Sequence, residues 1–146
     1  MARPSEQEIE AAFAPFLDRN EKLEHVAFGV KQPNFALMAG LICFGILPGM
    51  IAVMLLTKNY WVGLTNRRLL VLRVASPTNL KVKEVIEYSL DSLRQTDVRS
   101  STGILFTHIR LRDARQPFVA KFHRAYSREN RRQAMAIAEA IHFQAA

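Results

Sequence analysis

Residues 35–56 read FALMAGLICFGILPGMIAVMLL and carry no charge and no strongly polar side chain. A helix rises about 1.5 Å per residue, so an unbroken helix of this length would reach ~33 Å, close to the thickness of the bilayer hydrocarbon core. A chain of 146 residues has little interior in which to bury such a segment. The segment therefore predicts contact with a membrane.

Two membrane arrangements are compatible with this segment. In a single span, Pro48 is a tolerated kink, and the two ends of the segment lie on opposite sides of the bilayer. In a half-inserted hairpin, two helices of about ten residues turn at residues 45–49, GILPG, and both ends lie on the same side, since two complete spans need about 40 residues. A third arrangement buries the segment in protein within an oligomer. The sequence leaves these alternatives open.

The charge of the chain is divided by the apolar segment. The formal net charge is +7, with −2 before Phe35 and +9 after Leu56. The positive-inside tendency places the basic part in the cytoplasm. Basic residues near a bilayer also favour anionic headgroups, by about 1 kcal/mol for each well-placed charge.

Residues 1–22 predict a short amphipathic helix and its exit. Ser5 and Glu8 have the spacing of a capping box, Ile9 and Phe13 share a face, and Pro15 ends the helix near residue 14. Its polar face is acidic, which favours packing on the domain over contact with anionic lipid.

Alternation and turn signals predict a β-rich chain from residue 24 to residue 123. A turn is expected at residues 100–103, and Ser127 is the expected N-cap of a C-terminal helix with apolar positions 134, 137, 138 and 141. Seven short antiparallel strands and this helix predict a bent sandwich or partly open barrel. The predicted strands are 24–31, 60–64, 68–74, 82–88, 93–98, 104–112 and 118–123.

Residues 60–72, YWVGLTNRRLLVL, form a strand–Thr–turn–Arg–strand pattern, and residues 87–93, EYSLDSL, fit the next hairpin. With the order of elements, this resembles the bacterial pleckstrin-homology-like (PH-like) domain family over roughly residues 23–143. The expected PH-like domain is residues 23–146, interrupted by residues 35–56. The resemblance implies a mainly β fold with α and a binding or scaffolding module rather than an enzyme. Relatives often bind phosphoinositides through a basic first strand–strand loop, but here that loop is apolar, so this specificity is not carried over.

Basic side chains suggest two anion-binding patches for lipid headgroups or an acidic partner. One group alternates along two neighbouring strands and the other surrounds the start of the last helix. A solvated sheet face is the alternative for the first group, and solubility is the alternative for the second. The candidates are His108, Arg110, Arg112, Lys121, His123, Arg124, Arg128, Arg131 and Arg132.

Four residues flank the apolar segment as expected anchors at the membrane interface, namely Lys31, Lys58, Tyr60 and Trp61. Cys43 is the only cysteine, which excludes an intrachain disulfide. No nucleophile–base pattern, phosphate-binding loop or metal-ligand spacing is present, so we expect no catalytic, cofactor or metal site.

These observations predict a membrane-anchored PH-like scaffold at the cytoplasmic face. Its expected partners are membrane lipids and either a membrane protein or a second copy of the chain. The alternative is an accessory subunit of a larger integral membrane complex, with Gly40 and Gly45 permitting close helix contact. Nucleic acid is disfavoured, because no aromatic platform or helix-turn-helix pattern accompanies the basic residues.

Overall fold

The computed structural model describes residues 3–145, with side chains through residue 143. Its seven strands form one antiparallel sheet in the order β4-β3-β2-β1-β7-β6-β5. The strands are β1 (Leu23–Lys31), β2 (Lys58–Thr65), β3 (Arg68–Ser76), β4 (Asn79–Ser89), β5 (Asp97–Thr102), β6 (Phe106–Arg112) and β7 (Phe118–His123). The helices are α1 (Glu6–Phe13), α2 (Phe35–Cys43), α3 (Ile46–Leu56), α4 (Leu90–Arg94) and α5 (Arg128–Ala145), with a 3₁₀ turn at Ala14–Phe16.

The sheet bends between β1 and β7. β1 pairs with β2 from Leu23 to Lys31, but its pairing with β7 is limited to Val30 opposite Lys121. The two halves, β1–β4 and β5–β7, therefore separate and enclose a common core together with α5. Ala27, Tyr60, Ile109, Phe122 and Ile137 belong to this core, which joins both halves of the sheet to the C-terminal helix.

The N-terminal helix buries the other face of the first half-sheet. Its predicted capping box is present, with the Ser5 amide donating to Glu8 at 2.7 Å and the Glu8 amide donating to Ser5 Oγ at 3.3 Å. Phe13 is fully buried against a second apolar cluster that includes Phe28, Trp61 and Leu72. Strands β1 to β3 are thus covered on both faces, because α1 shields the face turned away from the core.

A buried ion pair fixes the entry to β1. Arg68 Nε donates to Glu21 Oε1 at 2.9 Å and its Nη2 donates to Oε2 at 2.8 Å, while Thr65 Oγ1 donates to Oε1 at 2.6 Å. Hydrogen bonding to Arg68 lowers the pKa of Glu21 to about 2. The Thr65–Arg68 segment of the strand–turn–strand pattern is therefore a structural clamp, which joins the β2–β3 turn to the chain before β1.

The region between β4 and β6 corrects two predictions. The expected strand 93–98 begins instead as α4, because Ser89 Oγ caps that helix by accepting from the Ser92 amide at 3.1 Å, and Leu93 fills the core from it. The expected turn at 100–103 is largely strand, since Ser100, Ser101 and Thr102 pair with β6. The hydrophobic residues of this region are compatible with either a strand or a helical turn. The Ser89 cap favours the helical turn at α4, and pairing with β6 favours the strand at residues 100–102.

The apolar segment connects β1 to β2 as two short helices, α2 and α3. Lys31 lies opposite Lys58 in the β1–β2 ladder, so the two ends of the segment return to adjacent positions. Within residues 3–145, no helix has the length and apolar character needed to cross a bilayer. The single-span alternative would have left the sheet without its first strand, whereas here β1 is present and pairs with β2 along its length.

Candidate functional site

The α2–α3 hairpin projects from the domain as a separate pair of helices. The two helices contact each other, and their contacts with every other described element are marginal. Gly49 permits this close packing, because a Cβ at this position would lie 2.5 Å from the carbonyl oxygen of Leu41. The turn is tightened by Gly45, whose φ of 135° is unfavourable for a residue with a side chain.

Most of the exposed apolar surface lies on this hairpin. Eleven of the fifteen exposed large hydrophobic side chains of the described region belong to residues 35–56. Phe44 at the tip is 88% exposed, and Ile46 and Leu47 beside it are 73% and 71% exposed. Soluble monomers seldom present an apolar patch of this extent without a binding role. The others are Phe35, Leu37, Ile42, Met50, Ile51, Met54, Leu55 and Leu56.

The backbone at the tip is suited to an apolar environment. The Phe44 and Gly45 amides donate to the carbonyls of Leu41 and Ile42 at 3.2 and 3.0 Å, and the Gly49 amide donates to Gly45 at 2.9 Å. Pro48 removes one of the donors that the start of a helix leaves free. Since unpaired backbone groups cost several kcal/mol each in lipid, these bonds lower the cost of burying the turn.

The base of the hairpin is polar and basic. Asn34 Oδ1 caps α2 by accepting from the Leu37 amide at 2.8 Å, and Thr57 Oγ1 donates to the Val53 carbonyl at 2.7 Å at the end of α3. Lys31 and Lys58 are exposed and directly opposite in the ladder, an arrangement that repels in the free protein. An anionic group between the two ammonium groups would relieve this repulsion.

Tyr60 and Trp61 do not serve as anchors at a membrane interface. Each is 5% exposed, and they lie on opposite faces of β2. Tyr60 belongs to the core between the two half-sheets, and Trp61 packs against Phe28 under α1. The strand resumes immediately after Lys58, so these aromatic rings are drawn into the domain rather than left at the foot of the hairpin.

Part of the first predicted patch is assembled on β6 and β7. His108 lies opposite Lys121, while Arg110 is two residues along β6 and shares the face of His108. Burial, then the charges of Lys121 and Arg110, lowers the pKa of His108. Because burial and the two neighbouring cations disfavour the protonated imidazole, an anion bound here would favour protonation of His108.

The other members of the first patch are less available. Arg112 lies 3.5 Å from the Asp97 carboxylate, which it shares with Arg99 at 3.3 Å. His123 stands edge-on to Phe106, with ring centroids 4.7 Å apart, and its Nδ1 accepts from the Ala125 amide at 2.9 Å. Arg124 Nη1 donates to the Ile104 carbonyl at 3.3 Å.

The second predicted group is separate and divided. Arg128 is exposed at the start of α5, and Arg132 pairs with Glu129 at 3.0 Å. Arg131 is half-buried, and its Nε has no hydrogen-bond partner within the described chain. Ser127 Oγ accepts from the Asn130 amide at 3.0 Å, as expected for the N-cap.

Two residues essential to the architecture were not expected from the sequence. Glu21 is a buried carboxylate in a loop, and Asn130 is a buried amide in the first turn of α5. An acid two residues before a strand and an amide three residues after an N-cap are both common surface patterns. Their partners, Arg68 and Phe28, are distant in sequence, so no local signal marked either residue.

Comparisons with solved structures identify the fold. The chain is similar to the hSac2 domain of the human phosphoinositide phosphatase Sac2, with a TM-score of 0.51 and 15% identity over 97% of this chain and 83% of that one. A pleckstrin homology domain from Shewanella amazonensis SB2B also matches, with a TM-score of 0.42 and 15% identity over 94% and 95% of the two chains. No family model and no curated protein matches the sequence.

The fold is mainly β with α, with seven antiparallel strands in a bent sheet closed by a C-terminal helix, and the hSac2 domain is similar to it in fold. Membership of the bacterial PH-like family stays a prediction.

Proposed function

We propose that this chain is a membrane-bound PH-like binding module whose apolar hairpin enters one leaflet from the cytoplasmic side. The observation that carries the proposal is the concentration of eleven exposed apolar side chains on one projecting hairpin. At about 1.5 Å per residue, α2 and α3 are ~13 and ~16 Å long, which is about half the thickness of the hydrocarbon core. The hairpin therefore has the length of a monotopic anchor.

Headgroup contact is proposed for the lysine pair at the hairpin base. Lys31 and Lys58 flank the hairpin next to its polar capping residues, Asn34 and Thr57. When the apolar helices enter the leaflet, the two lysines therefore lie at the membrane surface. A phosphate between them would separate two like charges that the ladder holds opposite each other. The His108, Arg110 and Lys121 face is available for an acidic partner held at the same membrane, in keeping with a scaffolding rather than catalytic role.

Vesicle flotation of the full chain tests the anchor. We expect the wild type to float with vesicles of zwitterionic and anionic phospholipid, and the Phe44→Asp/Leu47→Asp variant to remain at the bottom of the gradient. Phe143→Asp is the matched control, since this side chain is 80% exposed on α5 at a distance in sequence from the hairpin. Equal flotation of the tip variant, or no flotation of the wild type, would overturn the proposal.

The lysine pair is tested on the same vesicles. At about 1 kcal/mol per charge, Lys31→Gln/Lys58→Gln is expected to lose about 30-fold in affinity for anionic vesicles and little for zwitterionic ones. Arg19→Gln/Lys22→Gln is the control, because these residues precede β1 and lie at the opposite end of that strand. An equal loss in both variants would mean that only net charge matters.

The cytoplasmic location is tested in intact cells with a membrane-impermeant thiol reagent. Cysteines are placed singly at Ser5 and Ser101, both exposed, in a Cys43→Ala background. We expect both sites to be protected until the cells are lysed, with the chain in the membrane fraction. Labelling of either site before lysis would contradict this location.

A second function, as an accessory subunit of an integral membrane complex, is favoured by one feature of α2. A Cβ at Gly40 would meet no atom within 4 Å, so the backbone there is open to close approach by another helix. Recovery of one stoichiometric partner in mild detergent, lost on Gly40→Leu, would favour this function over a lipid anchor alone.

A further inference from the structure

A cleft of about 680 Å³ lies on the side of the domain formed by α1, β1 and the start of α5. Its volume is within the range of ligand-binding sites. β1 contributes Leu23, Glu24 and Val26 to its wall, and Trp61 and Tyr126 contribute aromatic rings. The hairpin and the β6–β7 basic face contribute nothing to it, so the cleft is separate from the proposed membrane contact.

The wall formed by β1 is the strand edge that turns away from β2 and faces α5. The Phe28 amide donates to Asn130 Oδ1 at 2.7 Å, and Asn130 Nδ2 donates to the Phe28 carbonyl at 3.0 Å and to the His123 carbonyl at 3.1 Å. Asn130 therefore takes the place of a β7 residue where the two strands separate. Because Phe28 turns its backbone groups away from β2, those of Val26, two residues earlier in an unbroken register, turn the same way.

The N–H and C=O of Val26 consequently point away from β2, and Val26 is one of the residues that line the cleft. No hydrogen bond from another described residue reaches them on that side. One residue of an extended chain docked antiparallel would form two hydrogen bonds with Val26, continuing the ladder that Asn130 interrupts.

Trp61 supplies a second unused group. Its side chain lines the cleft and is 95% buried, yet its Nε1 has no hydrogen-bond partner in the described chain. The indole nitrogen is itself buried, and the Trp61 and Tyr126 rings lie edge-on with centroids 5.7 Å apart. Tyr126 stacks on Phe28 with ring centroids 4.4 Å apart and fixes the neighbouring wall.

The charge of the cleft is opposite to that of the chain. Four carboxylates line it, from Glu6, Glu10, Glu24 and Glu129, against the guanidinium groups of Arg3 and Arg132. Arg132 is paired with Glu129, and Arg3 lies over the Tyr126 ring and donates to the Ala125 carbonyl. The remaining acidic side chains would attract a cation within a chain of net charge +7.

We propose that this cleft binds a short extended segment of a partner protein that carries Lys or Arg, docked as an added strand on β1. The segment pairs with the backbone of Val26, and its cationic side chain meets Glu24 and Glu10. The strand edge at Val26 selects an extended peptide over a compact ligand, and the carboxylates select a basic one.

Selection from a phage-displayed heptapeptide library on the immobilised full chain tests this inference. We expect enrichment of sequences with Lys or Arg next to β-branched residues. A synthetic copy of the most enriched peptide should bind with about tenfold lower affinity to Glu24→Gln, as for the loss of one ion pair of ~1.4 kcal/mol. Glu139→Gln, an exposed carboxylate elsewhere on α5, should bind as the wild type does.

Amide hydrogen exchange with the same peptide provides a readout of strand pairing. Bound peptide should slow exchange of the Val26 amide and shift the indole N–H resonance of Trp61. The proposal is overturned if no peptide is enriched, if the enriched peptides are acidic, or if binding leaves the Val26 amide unprotected.

Discussion

The first half-sheet and the α2–α3 hairpin are both rich in Leu, Val and Phe but use these side chains in opposite ways. In β2 and β3, most residues are buried, because α5 and β5–β7 cover one face and α1 covers the other. In the hairpin, Gly49 is the one buried residue among the described helices α2 and α3. An apolar stretch of sequence can therefore become either part of a core or a membrane anchor. The outcome depends on whether other elements of the fold pack against it.

The two regions also differ in how polar groups are satisfied. The domain uses long-range partners, such as Glu21 with Arg68 and Asn130 with Phe28. The hairpin satisfies its polar groups within four residues, through Asn34, Thr57 and the amides of its turn. A segment whose hydrogen bonds are all local can leave water without losing partners, whereas the domain depends on its tertiary contacts.

The largest effect on stability is expected when a buried phenylalanine of the domain, rather than an exposed one of the hairpin, is replaced by alanine. Phe13→Ala removes a fully buried ring and should cost about 4 kcal/mol of unfolding free energy in urea. Phe44→Ala removes a ring that is 88% exposed and should change stability by less than about 0.5 kcal/mol while weakening vesicle binding. Comparable destabilisation by both variants would break the distinction between core and anchor.

The next largest effect is expected on breaking the buried ion pair of the domain rather than a more exposed one. Arg68→Ala leaves the Glu21 carboxylate buried without its bidentate partner and should cost about 3 kcal/mol. Arg73→Ala removes a more exposed pair with Glu84 and should cost less than about 1 kcal/mol. Urea unfolding of both variants provides the measurement, and equal costs would show that Glu21 finds another partner.

The same clamp predicts an acid dependence. The pKa of Glu21 is lowered from 4.5 to about 2 in the folded chain, so its stabilisation is complete above pH 4.5 and is lost as the pH falls towards 2. By linkage this contributes about 3 kcal/mol. Thermal unfolding from pH 6 to pH 2 should show a steeper loss in the wild type than in Glu21→Gln, and parallel profiles would contradict the assignment.

Removal of the hairpin should have a smaller effect on folding. Replacing residues 32–57 by Asn-Gly joins Lys31 to Lys58 through a two-residue turn suited to an antiparallel ladder. We expect the unfolding free energy to change by about 1 kcal/mol or less, since closing a shorter loop costs less entropy and few contacts are lost. Loss of cooperative unfolding would show that the hairpin is part of the core.

The smallest expected effect concerns the reactivity of Cys43, which is exposed on α2. In the free chain it should react with a polar thiol reagent, and bound vesicles should slow that reaction because the residue lies near the tip. A rate unaffected by vesicles would place the hairpin outside the bilayer.

Local patterns predicted much of the domain. The capping box at Ser5 and Glu8, the strands around Thr65, the N-cap at Ser127 and the apolar face of α5 were expected and are present. Predictions were wrong where hydrophobic residues are compatible with both a strand and a helix. Leu93 was expected at the start of a strand, but the Ser89 cap places it in the helical turn α4 before that strand. Of the expected interfacial anchors, the two lysines lie at the hairpin base and the two aromatic residues lie in the interior.

Amino-acid order alone determined three features: a β-rich domain with a C-terminal helix, its interruption by an apolar segment, and the basic character of the chain after that segment. These features follow from periodicity, turn residues and charge, which act over a few positions. Tertiary structure alone decided that β1 pairs with β2 across that segment, which makes it a hairpin. It also decided that Glu21 and Asn130 bridge distant parts of the chain, that Trp61 turns inward, and that an acidic cleft opens beside β1. All of these features depend on which strands pair with each other. Strand pairing is determined by the apolar surface that the whole domain buries, and not by any single stretch of sequence.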